Sequence, residues 1–398
     1  MTHNMPYQAQ YYDILASLLS NPDKEVVSRV GEVKSRFSEK MKIDLTKEFP
    51  LMDIKQTSFK NILVELLWFI NGNTNIKYLV DNGCNIWNDD AFRWYNEKYV
   101  PQGLPRITKE EFIQRTKDGS KHDITETVLV SVESNFGYTD QRVMHTYVYG
   151  DLDIIYGRQW RAFGGTVDQL GDVIKMLRTN PDDRRMIITA HNPADIADGK
   201  VGLPSCHNYM QFYTQPIPLN KRVQHAIDNN LMTPELQSLA DTYVFYKFGK
   251  RKLEITKETL NDIDSKLDAV GVPKRYISVL VNIRSNDFFL GNPYNIASYA
   301  LLVSMIGQCV NMIPLILSCE MVDCHLYDKH IDAANEWIGR FEKLLNDEDK
   351  LMDVSEDFYC DARLKLNPSV KEIDEFTLAD CTIEDYKSLG KISAPLLT

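Results

Sequence analysis

With 398 residues, 43% of them hydrophobic and 25% charged, the chain has ordinary globular composition and length enough for a sizeable core. A formal net charge of −11 lacks the basic footprint of a general nucleic-acid or membrane-surface binder, though it leaves room for a local pocket that takes one phosphate. No apolar run approaches the roughly 20 residues that cross a bilayer, and the polar stretch Met1 to Gln10 has no signal-peptide pattern.

The predicted elements begin with a helix over residues 8–20 and a strand about Lys40 to Leu45, closed by Phe49-Pro50. Ser58 reads as the N-cap of a strong helix, because Ile62, Leu63, Leu66, Leu67 and Ile70 recur at helical spacing. Asn71-Gly72 ends that helix, and a shorter one through Tyr78 and Leu79 runs to Asn82-Gly83. From about 92 to 150 the pattern weakens, and its charge and turn residues point to an inserted, partly helical subdomain. A second polar stretch, about 215–275, separates two strand candidates, Tyr209 to Thr214 and Tyr276 to Ile283. In the latter, Ile277, Val279, Val281 and Ile283 alternate at period two. Ile296 to Val310 follows as an apolar helix fit for burial. The irregular order of helices and strands favours α+β, with one domain over residues 1–398 and two insertions.

Seven cysteines with no CxxC pair suit reduced thiols in a cytoplasm better than a disulfide framework or a zinc site. Cys206, in Leu203-Pro204-Ser205-Cys206-His207-Asn208 before a strand, is a candidate nucleophile if a cation stabilises its thiolate. Taken alone it reads first as a buried structural thiol. Arg184-Arg185, after the turn Asn180-Pro181-Asp182-Asp183, suit a dianionic phosphate or simply a solvated face. Arg284-Ser285-Asn286-Asp287 leads into Gly291-Asn292-Pro293-Tyr294-Asn295, a density of polar groups at a strand end that is site-like. Asp323, His325 and Tyr327 share one strand face and suit a sugar. A zinc set of Cys324, His325 and His330 lacks a second half.

In this order, the segments closely resemble the thymidylate synthase family. The resemblance is carried by Glu-Leu-Leu-Trp-Phe (65–69), Ile-Trp (86–87), Tyr-Gly-Arg-Gln-Trp-Arg-Ala (156–162), Arg-Arg (184–185), Pro-Ser-Cys-His (204–207), Arg-Ser-Asn-Asp (284–287), Asn-Ile-Ala-Ser-Tyr-Ala-Leu-Leu (295–302) and His-Leu-Tyr (325–327). It implies a mixed β-sheet covered by helices, with sheets packed back to back in a homodimer. It also implies transfer of the one-carbon unit of 5,10-methylenetetrahydrofolate to C5 of dUMP, with no metal and no nucleic-acid or membrane partner.

By the same resemblance, Cys206 is the nucleophile that adds to C6, and Arg284 stands by its thiolate and the phosphate. Tyr156 and His207 sit near the nucleophile, and Glu65 moves protons around O4. Ser285 and Arg29 complete the phosphate site, with Arg184 and Arg185 reaching in from the second subunit. Asn295 reads the O4 and N3 edge of uracil, where an amide offers both a donor and an acceptor. Members acting on cytosine resemble an aspartate there. His325 and Tyr327 hold the sugar 3′-hydroxyl. Asp287 binds the pterin; Ile86, Trp87, Leu203, Gly291 and Tyr294 shape the folate pocket, and the tail through Ala394, Leu396 and Thr398 closes over it.

Several positions depart from the usual pattern: Phe163, His191, Val322, the run Val30-Gly31-Glu32-Val33 and the terminal Thr398. Family chemistry passes through an exocyclic methylene, which hydride turns into a methyl group and water into a hydroxymethyl group. Exclusion of water separates the outcomes. The departures tip the expectation towards a dUMP hydroxymethylase, with thymidylate synthesis as the alternative and a non-catalytic nucleotide-binding regulator as a third reading.

Overall fold

The computed structural model describes residues 5–28, 31–132, 137–239, 256–346 and 359–397. Its strands, in chain order, are β1 (Lys24–Ser28), β2 (Gly31–Asp44), β3 (Lys121–Val132), β4 (Gly137–Val148), β5 (Ile187–Thr189), β6 (His207–Pro216), β7 (Arg275–Ile283), β8 (Asn286–Asp287), β9 (Ile313–Tyr327), β10 (Arg363–Leu366) and β11 (Cys381–Glu384). The alternation foreseen from Ile277 to Ile283 holds: those four side chains are buried, and the residues between them face the other way. β7 sits inside the main sheet, ordered β1-β2-β9-β7-β6-β5, with β8 added beside β9. β6 pairs with β7 antiparallel, β9 with β7 parallel and β2 with β9 antiparallel. The sheet is therefore mixed and the fold α+β.

One sheet face carries Met41, Ile43, Met210, Phe212, Leu317, Cys319 and Met321 into the core beneath the Gly291–Val310 helix. That helix is apolar almost all round, as an interior helix must be. The Tyr7–Ser20 and Ile331–Leu345 helices close a flank, where the Tyr11 ring stacks on Phe288 at 4.5 Å and meets Trp337 at 4.7 Å. Ser58 caps the Phe59–Ile70 helix by accepting from Asn61 N, a contact worth about 1 kcal/mol. The opposite sheet face is uncovered: Tyr213 is 63% and Phe37 74% exposed, and Val322 is also exposed.

The inserted stretch at 92–150 is only partly helical. Beyond the Asn88–Trp94 and Lys109–Lys117 helices its main feature is a long antiparallel hairpin of β3 and β4, whose charged, weakly alternating sequence hides the strand period. A buried aromatic cluster of Tyr95, Phe112, Tyr147 and Tyr149 ties it to the main core. The stretch between β6 and β7 contains the helices Leu219–Asp228 and Lys257–Ala269, around a small core of Val223, Ala226, Leu236, Ile263, Leu267 and Val272. No helix among the described residues is long and apolar enough to cross a membrane.

Candidate active site

Sheet order explains why residues far apart in sequence meet. β6 starts just after Cys206, and its first residue pairs with Ile283, the last of β7, so Arg284 and Ser285 emerge beside the cysteine. β9 runs parallel to β7, so its late residues Asp323, His325 and Tyr327 arrive at the same end. β8 pairs there with Cys324 and His325, which brings Asp287 to the same place. A register shift between His207 and Tyr209 bends β6 at its entrance, the kind of irregularity that re-aims a side chain.

At the cysteine, the Arg284 guanidinium is fixed by two carbonyls: Nε donates to Ser205 O at 2.9 Å and Nη2 to Pro204 O at 2.7 Å. Nη2 then lies 4.0 Å from Cys206 Sγ. Burial pushes the Cys206 thiol up, while Arg284, as expected of a neighbouring cation, and Tyr156 pull it down towards the thiolate without offsetting the burial. Tyr156 accepts from Cys206 N at 2.7 Å and stacks at 4.3 Å on His207. The His207 Nδ1 lies 3.0 Å from the Tyr299 hydroxyl, and burial pushes the His207 pKa down to about 3, so this ring is neutral. Tyr299, buried in the Gly291–Val310 helix, is a partner that reading the sequence missed; it sits one helical turn after Asn295, on the same face.

Glu65 projects from the Phe59–Ile70 helix and accepts from Trp87 Nε1 at 2.6 Å. Burial raises its carboxyl to about 7 against the lowering effect of that bond, which suits proton transfer at neutral pH. The Trp87 ring is enclosed by Trp68, Phe69 and Tyr156, and Ile86, Leu203, Tyr294 and Ala394 are half-buried against the same core. This is an aromatic wall beside an ionisable cluster.

The polar side of the site holds Ser285, His325 and Tyr327, which line a cavity of about 190 Å³ with Lys24, Ser35 and Asp323. His325 Nδ1 is 3.1 Å from Asp323 O. Asp287 Oδ1 accepts from Phe289 N at 3.1 Å and Leu290 N at 3.0 Å, which fixes the turn into the helix. A Cβ on Gly291 would stand 3.5 Å from Asp287 Cβ and 3.8 Å from Asn295 Nδ2, so the three are neighbours. Asn295 is half-buried, and its amide makes no hydrogen bond to any described residue.

The C-terminal segment is seated by two side chains that sequence reading passed over. Arg340 Nη1 donates to Leu389 O at 3.1 Å and Gly390 O at 3.1 Å, and Nη2 to Lys391 O at 3.2 Å. His330, fully buried, places Nε2 2.8 Å from Pro395 O, which makes it the protonated nitrogen, while Nδ1 is 3.8 Å from Asp287 Oδ1. Leu396 beyond is 54% exposed. No group of three or more metal-ligating side chains converges among the described residues.

Arg184 and Arg185 are exposed, and Arg184 belongs to a groove with Tyr213, Ser278, Leu280 and Ile316 on the outer sheet face. One chain does not bring them to Cys206. Arg29 and Thr398 lie outside the described residues.

Comparison with known proteins agrees with this geometry. The family model described as thymidylate synthase matches residues 9–234 and 265–398. The thymidylate synthase of Phytoplasma mali is 30% identical over 96% of this chain and 96% of its own length. That of Mycoplasma mobile is 31% identical over 97% of this chain and 98% of its own, and that of a Listeria monocytogenes strain is 28% identical over 97% and 99%. With a matching model over most of its length and relatives of the same name end to end, the chain is an enzyme of the thymidylate synthase family.

Proposed function

We propose that the chain converts dUMP and 5,10-methylenetetrahydrofolate to dTMP and dihydrofolate, working as a homodimer. The observation that carries this is the meeting of a half-buried cysteine, an immobilised arginine and a near-neutral glutamate beside an aromatic wall. A phosphate drawn in by Arg284 and Ser285, with Arg29, sets the pyrimidine C6 over Cys206 Sγ. The thiol proton passes to solvent as Sγ bonds to C6, and charge builds at O4, where a protonated Glu65 donates. C5 then bonds to the one-carbon unit supplied by the folate and gives up its own proton to solvent, and tetrahydrofolate departs to leave an exocyclic methylene. Asn295 presents both donor and acceptor to the uracil edge, His325 and Tyr327 hold the sugar hydroxyl, and Asp287 faces the pterin between Gly291 and the tail. Trp87 and the seated tail exclude water, so hydride completes the methyl group.

Three of the departures that tipped the sequence reading towards hydroxymethylation lie away from Trp87, whereas Val33 lines the Ser285–His325–Tyr327 cavity, and Val30 and Thr398 lie outside the described residues. His191 is exposed, Val322 is exposed on the outer sheet face, and Phe163 closes a tight turn by donating to Val167 O at 2.8 Å. The rings against Trp87 are Trp68, Phe69 and Tyr156. This, with the relatives' names, supports methylation. The uncovered apolar residues of the outer sheet face, with Arg184 in the groove beside them, support the dimer. Mass spectrometry of the product, with absorbance at the dihydrofolate band, tests the reading. A product heavier than dUMP by a methylene, with stoichiometric dihydrofolate, is expected. One heavier by formaldehyde, with no dihydrofolate, restores the hydroxymethylase.

A further inference from the structure

The loop bearing Arg184 and Arg185 is braced from the end of the sheet that lies away from Cys206. The loop makes its own turn, with Asp183 N donating to Asn180 O at 3.0 Å and Asn180 Nδ2 to Asp183 Oδ2 at 3.2 Å. Three side chains of β6 and β7 then reach it. Thr214, 5% exposed, donates its hydroxyl proton to Pro181 O at 2.6 Å. Arg275 Nε donates to that same Thr214 oxygen at 2.9 Å, and Arg275 Nη2 donates to the Asp182 carboxylate. Gln211 Nε2 donates to Arg184 O at 2.9 Å.

Arg275 is itself held by the stretch inserted between β6 and β7. Arg222, buried among the insertion's helices, donates from Nε to Pro273 O at 3.0 Å and from Nη2 to Val272 O at 2.9 Å. Ile217 N donates to Lys274 O at 2.8 Å. The three residues before Arg275 are thus pinned, and a short path of bonds runs from the insertion through Arg275 to the arginine loop.

Charge pairing within the loop gives the path a consequence. Asp183 is taken by Arg185, at 3.0 Å from Nε and 2.7 Å from Nη2. Asp182 is taken by Arg275. Arg184 therefore has no carboxylate partner among the described residues, and its guanidinium stands open at the outer sheet face.

We propose that Arg275 is a positioning residue for phosphate binding. It occupies Asp182 and holds Pro181 through Thr214, so that Arg184 is presented, uncompensated, to the nucleotide phosphate in the partner subunit. The inference rests on the dimer and phosphate roles proposed above.

The test is steady-state kinetics of Arg275→Leu, Arg275→Lys and Thr214→Val, with Arg184→Ala as the reference, and sedimentation velocity on each. Arg275→Leu is expected to raise KM for dUMP by about fivefold, the scale of one ordinary net hydrogen bond. KM for the folate and kcat should stay within about twofold, because neither site touches Arg275. Thr214→Val should shift the same constant in the same direction without removing a charge, and Arg275→Lys should recover most of the loss. An unchanged dUMP KM in Arg275→Leu, while Arg184→Ala raises it, overturns the inference and leaves the phosphate role standing. An unchanged dUMP KM in Arg184→Ala overturns both. Dissociation of the dimer in Arg275→Leu, or an equal rise in both KM values, would make Arg275 a residue of assembly and also overturn the proposal.

Discussion

The two ends of the central sheet treat charge in opposite ways. At the Cys206 end, ionisable groups are buried without full compensation: the thiol is pushed up, His207 is pushed down to about 3 and Glu65 is raised to about 7. At the other end the charges around the inserted helices are paired. Arg222 meets Asp264 and Asp268, Lys274 meets Asp268 at 2.6 Å, and Arg275 meets Asp182. Lys274 and Arg222 hold the Asp268 carboxyl below its ordinary range in spite of partial burial. Paired charges of this kind fix geometry, and breaking one leaves its partner stranded. Uncompensated groups keep protonation states that can change during a reaction, and that is why perturbed groups mark chemistry.

The sharpest way to break this comparison is to remove the thiol. Cys206→Ala should lower turnover by at least about 10⁴-fold while dUMP binding by calorimetry persists, since binding uses the arginines and Asn295. Residual turnover near the wild-type rate would mean that another residue is the nucleophile. Asn295→Asp should change the dUMP-to-dCMP preference by about 10²-fold, because a carboxylate accepts from the cytosine amino group and cannot donate to O4. Competition kinetics would reveal it, and an unaltered preference would move base reading to another side chain.

A milder test concerns Glu65. Burial keeps this carboxyl protonated up to about pH 7, so a rate that needs its proton should fall as pH rises through that value. Glu65→Gln should lower kcat by about 10²-fold and remove that falling limb from the pH–rate profile. A limb that survives the substitution belongs to some other group. The smallest effect on activity is expected at the opposite end. Leu267→Ala in the small core should loosen the inserted helices by about 2–4 kcal/mol, seen as faster hydrogen exchange there, with kcat unchanged. A large loss of kcat would mean that the two ends are coupled far more strongly than the Arg275 path implies.

Much of the architecture is legible in the residues. The Ser58 cap, the stop at Asn71-Gly72, the alternation from Ile277 to Ile283 and the buried helix ending at Val310 are local signals, each carried by a few neighbouring side chains. The β3–β4 hairpin was not legible, because charged and β-branched residues alternate there without a clean apolar face. Of the candidate site, Cys206, Arg284 and Asp287 stand out as polar groups at strand ends, whereas His330 and Arg340 do not, since their partners are backbone carbonyls some 50 residues or more away.

Sequence by itself determined the family and most element types outside the 92–150 stretch, because propensity, periodicity and motif order are properties of nearby residues. Only the tertiary structure decided that burial raises the Cys206 thiol against the pull of Arg284, that Glu65 is tuned towards neutrality, and that Asp182 is paired by Arg275. Those facts depend on what lies within a few ångströms in space. Burial and pairing there are set by sheet order, which no local stretch of residues specifies.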